Sequence, residues 1–236
     1  MTAHRIFRAT AACAVLAATA VLATGCSLTE DDDKTSSSAY SVDGGGTKAL
    51  FVDTRGGDIE VVAGEGDAIR VTERYKWNER KPRTEHTTQD GRLVLKADDC
   101  GNERHTCDVN YEVRVPAGLK VHLKSGGGDL LVSGLSGSVE ADTRGGDIQI
   151  DDSASGRVTA HTEGGDLTGV FTDAPTEVSF TTAGGDVEVR LPTGSYAVDA
   201  HTDGGTRDVA VPSKPASDHR VKAHSEGGDV SVTKAS

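Results

Sequence analysis

Thr143-Arg144-Gly145-Gly146-Asp147-Ile148, Thr162-Glu163-Gly164-Gly165-Asp166-Leu167 and Thr182-Ala183-Gly184-Gly185-Asp186-Val187 repeat one phrase: a hydroxyl, a variable residue, two glycines, an aspartate and an aliphatic residue. Asp58, Asp129 and Asp229 stand in the same phrase, with a variant around Gly204-Gly205, and the steps from Asp129 to Asp186 are 18, 19 and 20 residues. A fixed period near this length marks a solenoid. Six residues before each Asp stand Val52, Leu123, Ala141, Ala160, Phe180 and Ala223, and eight before stand Leu50, Val121, Val139, Val158, Val178 and Val221. With the hydroxyls Thr54, Ser125, Thr143, Thr162, Thr182 and Ser225 four before, they share one face of a strand, because side chains alternate with a period of two. The first residue after each Asp is aliphatic and the third usually Val or Ile, Gly169 excepted, so a second strand begins there.

Each unit thus reads as strand, Gly-Gly corner, strand and polar return, and the chain is expected to be all-β, a single-stranded β-helix of about seven short coils. Glycine suits the corner, where side chains would collide and positive φ is often required. The copy from His201 to Val211 fits if Thr206-Arg207 forms a bulge. Composition agrees: Gly is 29 of 236 residues against a usual ~7%, and aromatics are 4%. A helical bundle is excluded. Between Asp58 and Asp129 lie 71 residues, far more than one period. This predicts an insertion at about 67–120, with strands near 69–77, 92–96 and 109–115 forming a small sheet over the first end of the solenoid.

The N-terminus reads as an export segment. Arg5 and Arg8 precede a small apolar run that ends in Leu22-Ala23-Thr24-Gly25-Cys26. It is too short for a stable membrane span and resembles a bacterial lipobox, in which the cysteine thiol takes diacylglycerol before cleavage ahead of it. The expected organisation is a signal peptide at 1–25, a lipidated Cys26, a disordered tether at 26–46 and one domain at 47–236, held at the extracytoplasmic face of the cell membrane. Cys100 and Cys107 then remain in an oxidising compartment, where a disulfide is expected. The alternative is a metal site from Cys100, His105 and Cys107 with Asp98 or Asp99.

The lipobox, the phrase Val113-Arg114-Val115-Pro116-Ala117-Gly118, its echo Val189-Arg190-Leu191-Pro192-Thr193-Gly194 and the repeated Thr-x-Gly-Gly-Asp resemble the bacterial putative adhesin family of unknown function, whose domain is called toastrack. The resemblance covers roughly 47–236. It implies a β-helix outside the membrane, a link in some relatives to envelope-stress signalling, and no established enzyme activity or cofactor.

Stacked aspartates invite a Ca²⁺ reading, but the adjacent outward column is inconsistent (Arg55, Gly126, Arg144, Glu163, Ala183, Asp203, Glu226), so capping of backbone N–H groups at the corner is expected instead. His161, His201 and His224 share a column with Asp142 and Thr181 and read as solvent-facing polar residues rather than metal ligands. A carbohydrate-acting β-helix enzyme is the catalytic alternative; no nucleophile, zinc-hydrolase or phosphate-loop motif supports it.

The formal charge is −12, and loss of Arg5 and Arg8 makes it −14, which argues against a nucleic-acid partner. One segment reverses the sign: 68–96 holds eight basic and four acidic residues. Arg74, Tyr75, Lys76, Trp77, Arg80, Lys81 and Arg83 are the expected contact site, for an anionic envelope polymer, lipid headgroups or a membrane protein.

Overall fold

The repeated phrases form strands that pair with their counterparts in neighbouring copies, so every step along the sequence period becomes a step along a stack. The computed structural model describes residues 33–98, 100 and 106–235, within the unit Asp32–Ser236. The signal segment and Cys26 lie outside the described residues.

In chain order the strands are β1 (Lys34–Val42), β2 (Ala49–Thr54), β3 (Ile59–Gly64), β4 (Ile69–Trp77), β5 (Thr84–Gln89), β6 (Arg92–Ala97), β7 (Cys107–Pro116), β8 (Lys120–Ser125), β9 (Leu130–Ser133) and β10 (Val139–Thr143). They continue as β11 (Ile148–Ser153), β12 (Arg157–Thr162), β13 (Leu167–Phe171), β14 (Glu177–Thr182), β15 (Val187–Leu191), β16 (Ala197–Thr202), β17 (Arg207–Val209), β18 (Arg220–Ser225) and β19 (Val230–Lys234). One sheet runs β1-β4-β7-β3-β9-β11-β13-β15-β19-β17, and the second runs β16-β18-β14-β12-β10-β8-β2-β6-β5. Pairing is parallel throughout the stack and antiparallel only where β4 meets β1 and β7, and where β5 meets β6.

The register is the one the columns require. Val121, Val139, Val158 and Val178 are successive partners in the second sheet, as are Leu123, Ala141, Ala160 and Phe180. Facing them, Leu130, Ile148, Leu167 and Val187 line up in the first sheet. All are buried, and together they fill a narrow interior. Gly169 breaks the aliphatic column because Phe180 needs its volume: a Cβ there would lie 2.7 Å from Phe180 Cζ.

Several expectations are corrected. The pair β6 and β7 stacks on β2 and β3 in both sheets, so the insertion supplies a further coil of the β-helix itself rather than a separate small sheet. Leu93, Leu95, Tyr111, Val113 and Val115 keep the inward alternation without the Gly-Gly-Asp phrase, which is why the repeat pattern missed it. Residues 34–42 are not a tether but β1, paired over all nine residues with β4. Its few apolar groups concealed a strand whose main interaction is backbone pairing along an otherwise open edge.

The last two coils are exchanged. β18 and β19 insert between β14/β15 and β16/β17, leaving the earlier copy outermost. There is no bulge at Thr206-Arg207: Arg207 pairs with Val230 and so stands where the other coils place an aliphatic residue, yet its side chain is exposed. It is tolerated because this coil ends the stack, where the Arg207 Nε–H donates to the Ala200 carbonyl (2.8 Å).

Candidate functional site

The aspartate column is a hydrogen-bond ladder. Asp58 Oδ1 accepts the Asp129 N–H, and the same bond recurs from Asp129 to Asp147, Asp147 to Asp166, Asp166 to Asp186, Asp186 to Asp229 and Asp229 to Thr206, at 2.7–3.0 Å. Asn110 fills the position in the added coil, its Oδ1 accepting the Asp58 N–H at 3.1 Å. The carboxylates thus cap backbone N–H groups at the corner. The hydroxyl column runs beside it: Ser125, Thr143, Thr162, Thr182, Ser225 and Thr202 each donate to a glycine carbonyl of the adjacent coil at 2.7–3.1 Å. Both columns hold coil to coil.

Glycine is required at the corner by close approach and not by positive φ, since among the described residues the glycines with positive φ are Gly46, Gly66, Gly91 and Gly134. A Cβ on Gly146 would lie 2.2 Å from the Gly128 carbonyl oxygen.

The basic segment is divided by strand alternation. Arg74 and Lys76 point outward from β4 and pair with Glu112 (2.8 Å) and Asp33 (3.0 Å). Tyr75 points inward and is 7% exposed, which corrects its reading as a contact residue. Its hydroxyl donates to the buried Glu73 carboxylate (2.5 Å), which also accepts from Tyr40 (2.9 Å) and Thr84 (3.0 Å). Burial, then Glu73, pushes the Tyr75 phenol up, and that of Tyr40 with it. This cluster closes the first end of the stack, where Tyr40 also lies on His86 with ring centroids 4.7 Å apart. Trp77 is half-buried. The Lys81 ammonium sits over Tyr75 at 4.1 Å and over Trp77 at 5.4 Å. Arg80 pairs with Asp98 at 3.7 Å, and Arg83, exposed, bonds the same carboxylate through its backbone N–H at 2.7 Å. Of the seven residues, Tyr75 is thus turned to the interior while Arg74, Lys76, Arg80, Lys81 and Arg83 are exposed.

Beside β4 lies a polar groove lined by Arg74, Lys76, Asp58 and Asp108. Burial pushes the Asp108 carboxyl up against the opposing pull of Lys76. Cys100 and Cys107 form a disulfide, with Cα atoms 5.9 Å apart, so neither is a thiolate ligand. It links Cys100, three residues beyond β6, to the first residue of β7. The exchange of coils makes His201 and His224 register partners, with ring centroids 5.8 Å apart. Each faces its own carboxylate, Asp203 at 3.0 Å and Asp199 at 3.2 Å. Among the described residues no group of three or more His, Cys, Asp or Glu is placed to hold a metal ion.

Sequence reasoning missed the outer face of the second sheet. A recess of about 390 Å³ there runs across five coils and is lined by Phe51, Arg92, Lys120, His122, Glu140 and Arg157, with Ala49 and Ser138 between the cations. Phe51 and His122 pack edge to face, centroids 4.9 Å apart, and His122 Nδ1 lies 3.3 Å from Glu140. A second recess of about 450 Å³ beside it carries Arg55, Lys124 and Arg144 with Asp53, Asp142 and Glu163. The outward columns were present in the repeat alignment, but Arg92 entered no column until β6 was recognised as part of a coil.

The family model Toastrack DUF4097 matches residues 107–234. No curated protein matches the chain. Among solved structures it is similar to a putative adhesin from Bacteroides fragilis, at 15% identity over 86% of this chain and 97% of that one, TM-score 0.49. It is similar also to a putative cell adhesion protein from Clostridium sporogenes, at 12% identity over 86% and 100%, TM-score 0.48. A putative lipid binding protein from Parabacteroides distasonis matches at 11% identity over 85% and 97%, TM-score 0.38.

Proposed function

The chain belongs to the Toastrack DUF4097 family, and from that premise we propose that it is a non-catalytic envelope protein, anchored through lipid on Cys26, which binds or scaffolds at the extracytoplasmic face. The observation that carries this reading is the engagement of the repeated hydroxyls and carboxylates. Thr162 and Asp166, for example, bond the backbone of the preceding and following coils, so the side chains most suited to chemistry instead make the stack rigid. What varies from coil to coil is the outward display on two broad sheet faces, the usual binding surface of a solenoid.

Signal peptide, lipid and location stand or fall together in one measurement. A palmitate analogue is expected to label the wild type in membranes and not Cys26→Ala. Equal labelling of both removes the anchor. Binding is tested with the unit Asp32–Ser236 on isolated wall material across a salt series. Retention at low salt that weakens as the Debye length falls from about 10 Å at 0.1 M to about 3 Å at 1 M supports an anionic envelope partner. Absence of retention at low salt removes it.

A further inference from the structure

Resting on that reading, we propose that the recess around Phe51, on the outer face of the second sheet, is a binding site for a linear anionic polysaccharide. Arg92, Lys120 and Arg157 lie in one row on alternate coils. Ala49 is the register partner of both Arg92 and Lys120, and Ser138 stands one residue before Val139, the partner of Val121 and Val158. Strand spacing puts successive cations about 9–10 Å apart. The small residues between them leave troughs, so the row presents charge, gap, charge, gap along the stack. An anionic chain lying across the strands meets a cation every second coil.

Phe51 supplies what a bare cation row lacks. In a chain with 4% aromatic residues, this ring sits half-buried among those cations on an outward face. Its flat apolar surface suits the C–H face of a sugar ring, with the neighbouring guanidinium and ammonium groups reaching acidic substituents. Arg92 and Lys120 make no ion pair among the described residues. Arg157 shares Glu177 at 3.2 Å, with its side chain still 66% exposed. The chain as a whole carries a net charge of −12, so a polyanion is drawn to local rows of cations such as this one rather than to the surface at large. The shape selects a polymer over a bilayer: the aromatic ring lines the recess rather than crowning a protrusion, and a single chain enters where a flat membrane does not. Glu140 is the carboxylate within the recess, tied to His122, and it opposes an anion there.

The experiment uses the unit Asp32–Ser236 with labelled oligogalacturonate as the carboxylated polysaccharide probe. Inorganic polyphosphate and phosphatidylglycerol vesicles are the other arms, and circular dichroism with thermal unfolding shows that each variant is folded. The double variant Arg92→Ala, Lys120→Ala is expected to weaken oligogalacturonate binding about tenfold at low salt, and Phe51→Ala about fivefold. Glu140→Gln tightens it, and Arg74→Ala with Lys76→Ala leaves it unchanged. Three results overturn the site: groove variants that bind as the wild type does, polyphosphate bound as tightly and without regard to Phe51, or vesicles bound in preference through the same residues. Absence of oligogalacturonate binding overturns it too. In each case the retention on wall material reports separately whether an envelope-binding function survives.

Discussion

Replacing Gly165 with alanine tests the corner at a point of close approach between coils. The added Cβ would stand 2.1 Å from the Gly146 carbonyl oxygen and 2.7 Å from Asp147 Oδ1. Both atoms already serve the stack: that carbonyl accepts the Thr162 hydroxyl at 3.0 Å, and Asp147 Oδ1 accepts the Asp166 N–H at 2.8 Å. Backbone on both sides of the contact leaves no rotamer to yield, so the coils must separate. Overpacking of this kind costs about 1–3 kcal/mol, and two stretched hydrogen bonds add about 1 kcal/mol each. The expected loss is therefore about 3–5 kcal/mol. The residue before it is the control. At Gly164 the nearest neighbour of a Cβ is the Arg144 carbonyl oxygen, 3.8 Å away, and neither glycine has positive φ. Gly164→Ala is thus expected to be neutral or to stabilise by up to about 1 kcal/mol through the unfolded chain. Urea unfolding of Asp32–Ser236, compared by midpoint at equal slope, measures both. If the two alanines fall within about 1 kcal/mol of each other, the close-approach account of the repeat is wrong.

Ala160→Leu enlarges a buried position between Ala141 and Phe180 and should cost about 1–3 kcal/mol in the same assay; an unchanged midpoint would show that the interior has room. The outermost rung should respond to acid. The Thr206 N–H, and then its hydroxyl, hold the Asp229 carboxyl below the usual aspartate value. A group depressed in the folded state stabilises it above the unfolded value and loses that contribution as pH falls through the folded one. Hydrogen exchange at the Thr206 amide is therefore expected to stay slow to below the ordinary aspartate range and then accelerate, and Asp229→Ala should abolish the transition. A pH-independent amide would remove this ladder bond.

The repeat made the interior legible because its period, its strand alternation and its glycines answer to one geometry. Val158, Ala160 and Thr162 face inward as the columns require, and the aspartates cap the backbone. What escaped was whatever the fold assembles without the phrase. β6 and β7 carry Asn110 where most coils carry Asp, and lack the Gly-Gly pair, so a coil with its inward residues correct had no marker. β1 depends on backbone pairing, which composition does not register. Tyr75 was read with Arg74 and Lys76 as one basic and aromatic stretch, although neighbours in a strand face opposite ways. The recess around Phe51 joins residues from Ala49 to Thr159, and its charges become neighbours only after the coils are stacked.

The exchanged coils bear on how the chain completes itself. In a solenoid laid down in sequence order, each new turn docks on a finished predecessor. Here β16 and β17 are made before β18 and β19 but pair only with them. A chain delivered from its N-terminus must hold 197–209 away from β14 and β15 until the final strands arrive to fill the gap. The last segment to appear is then a keystone, lodged between two neighbours. A chain truncated before Val230 loses more than one strand: in the first sheet it separates β15 from β17, leaving two open edges at the place where the finished molecule has none.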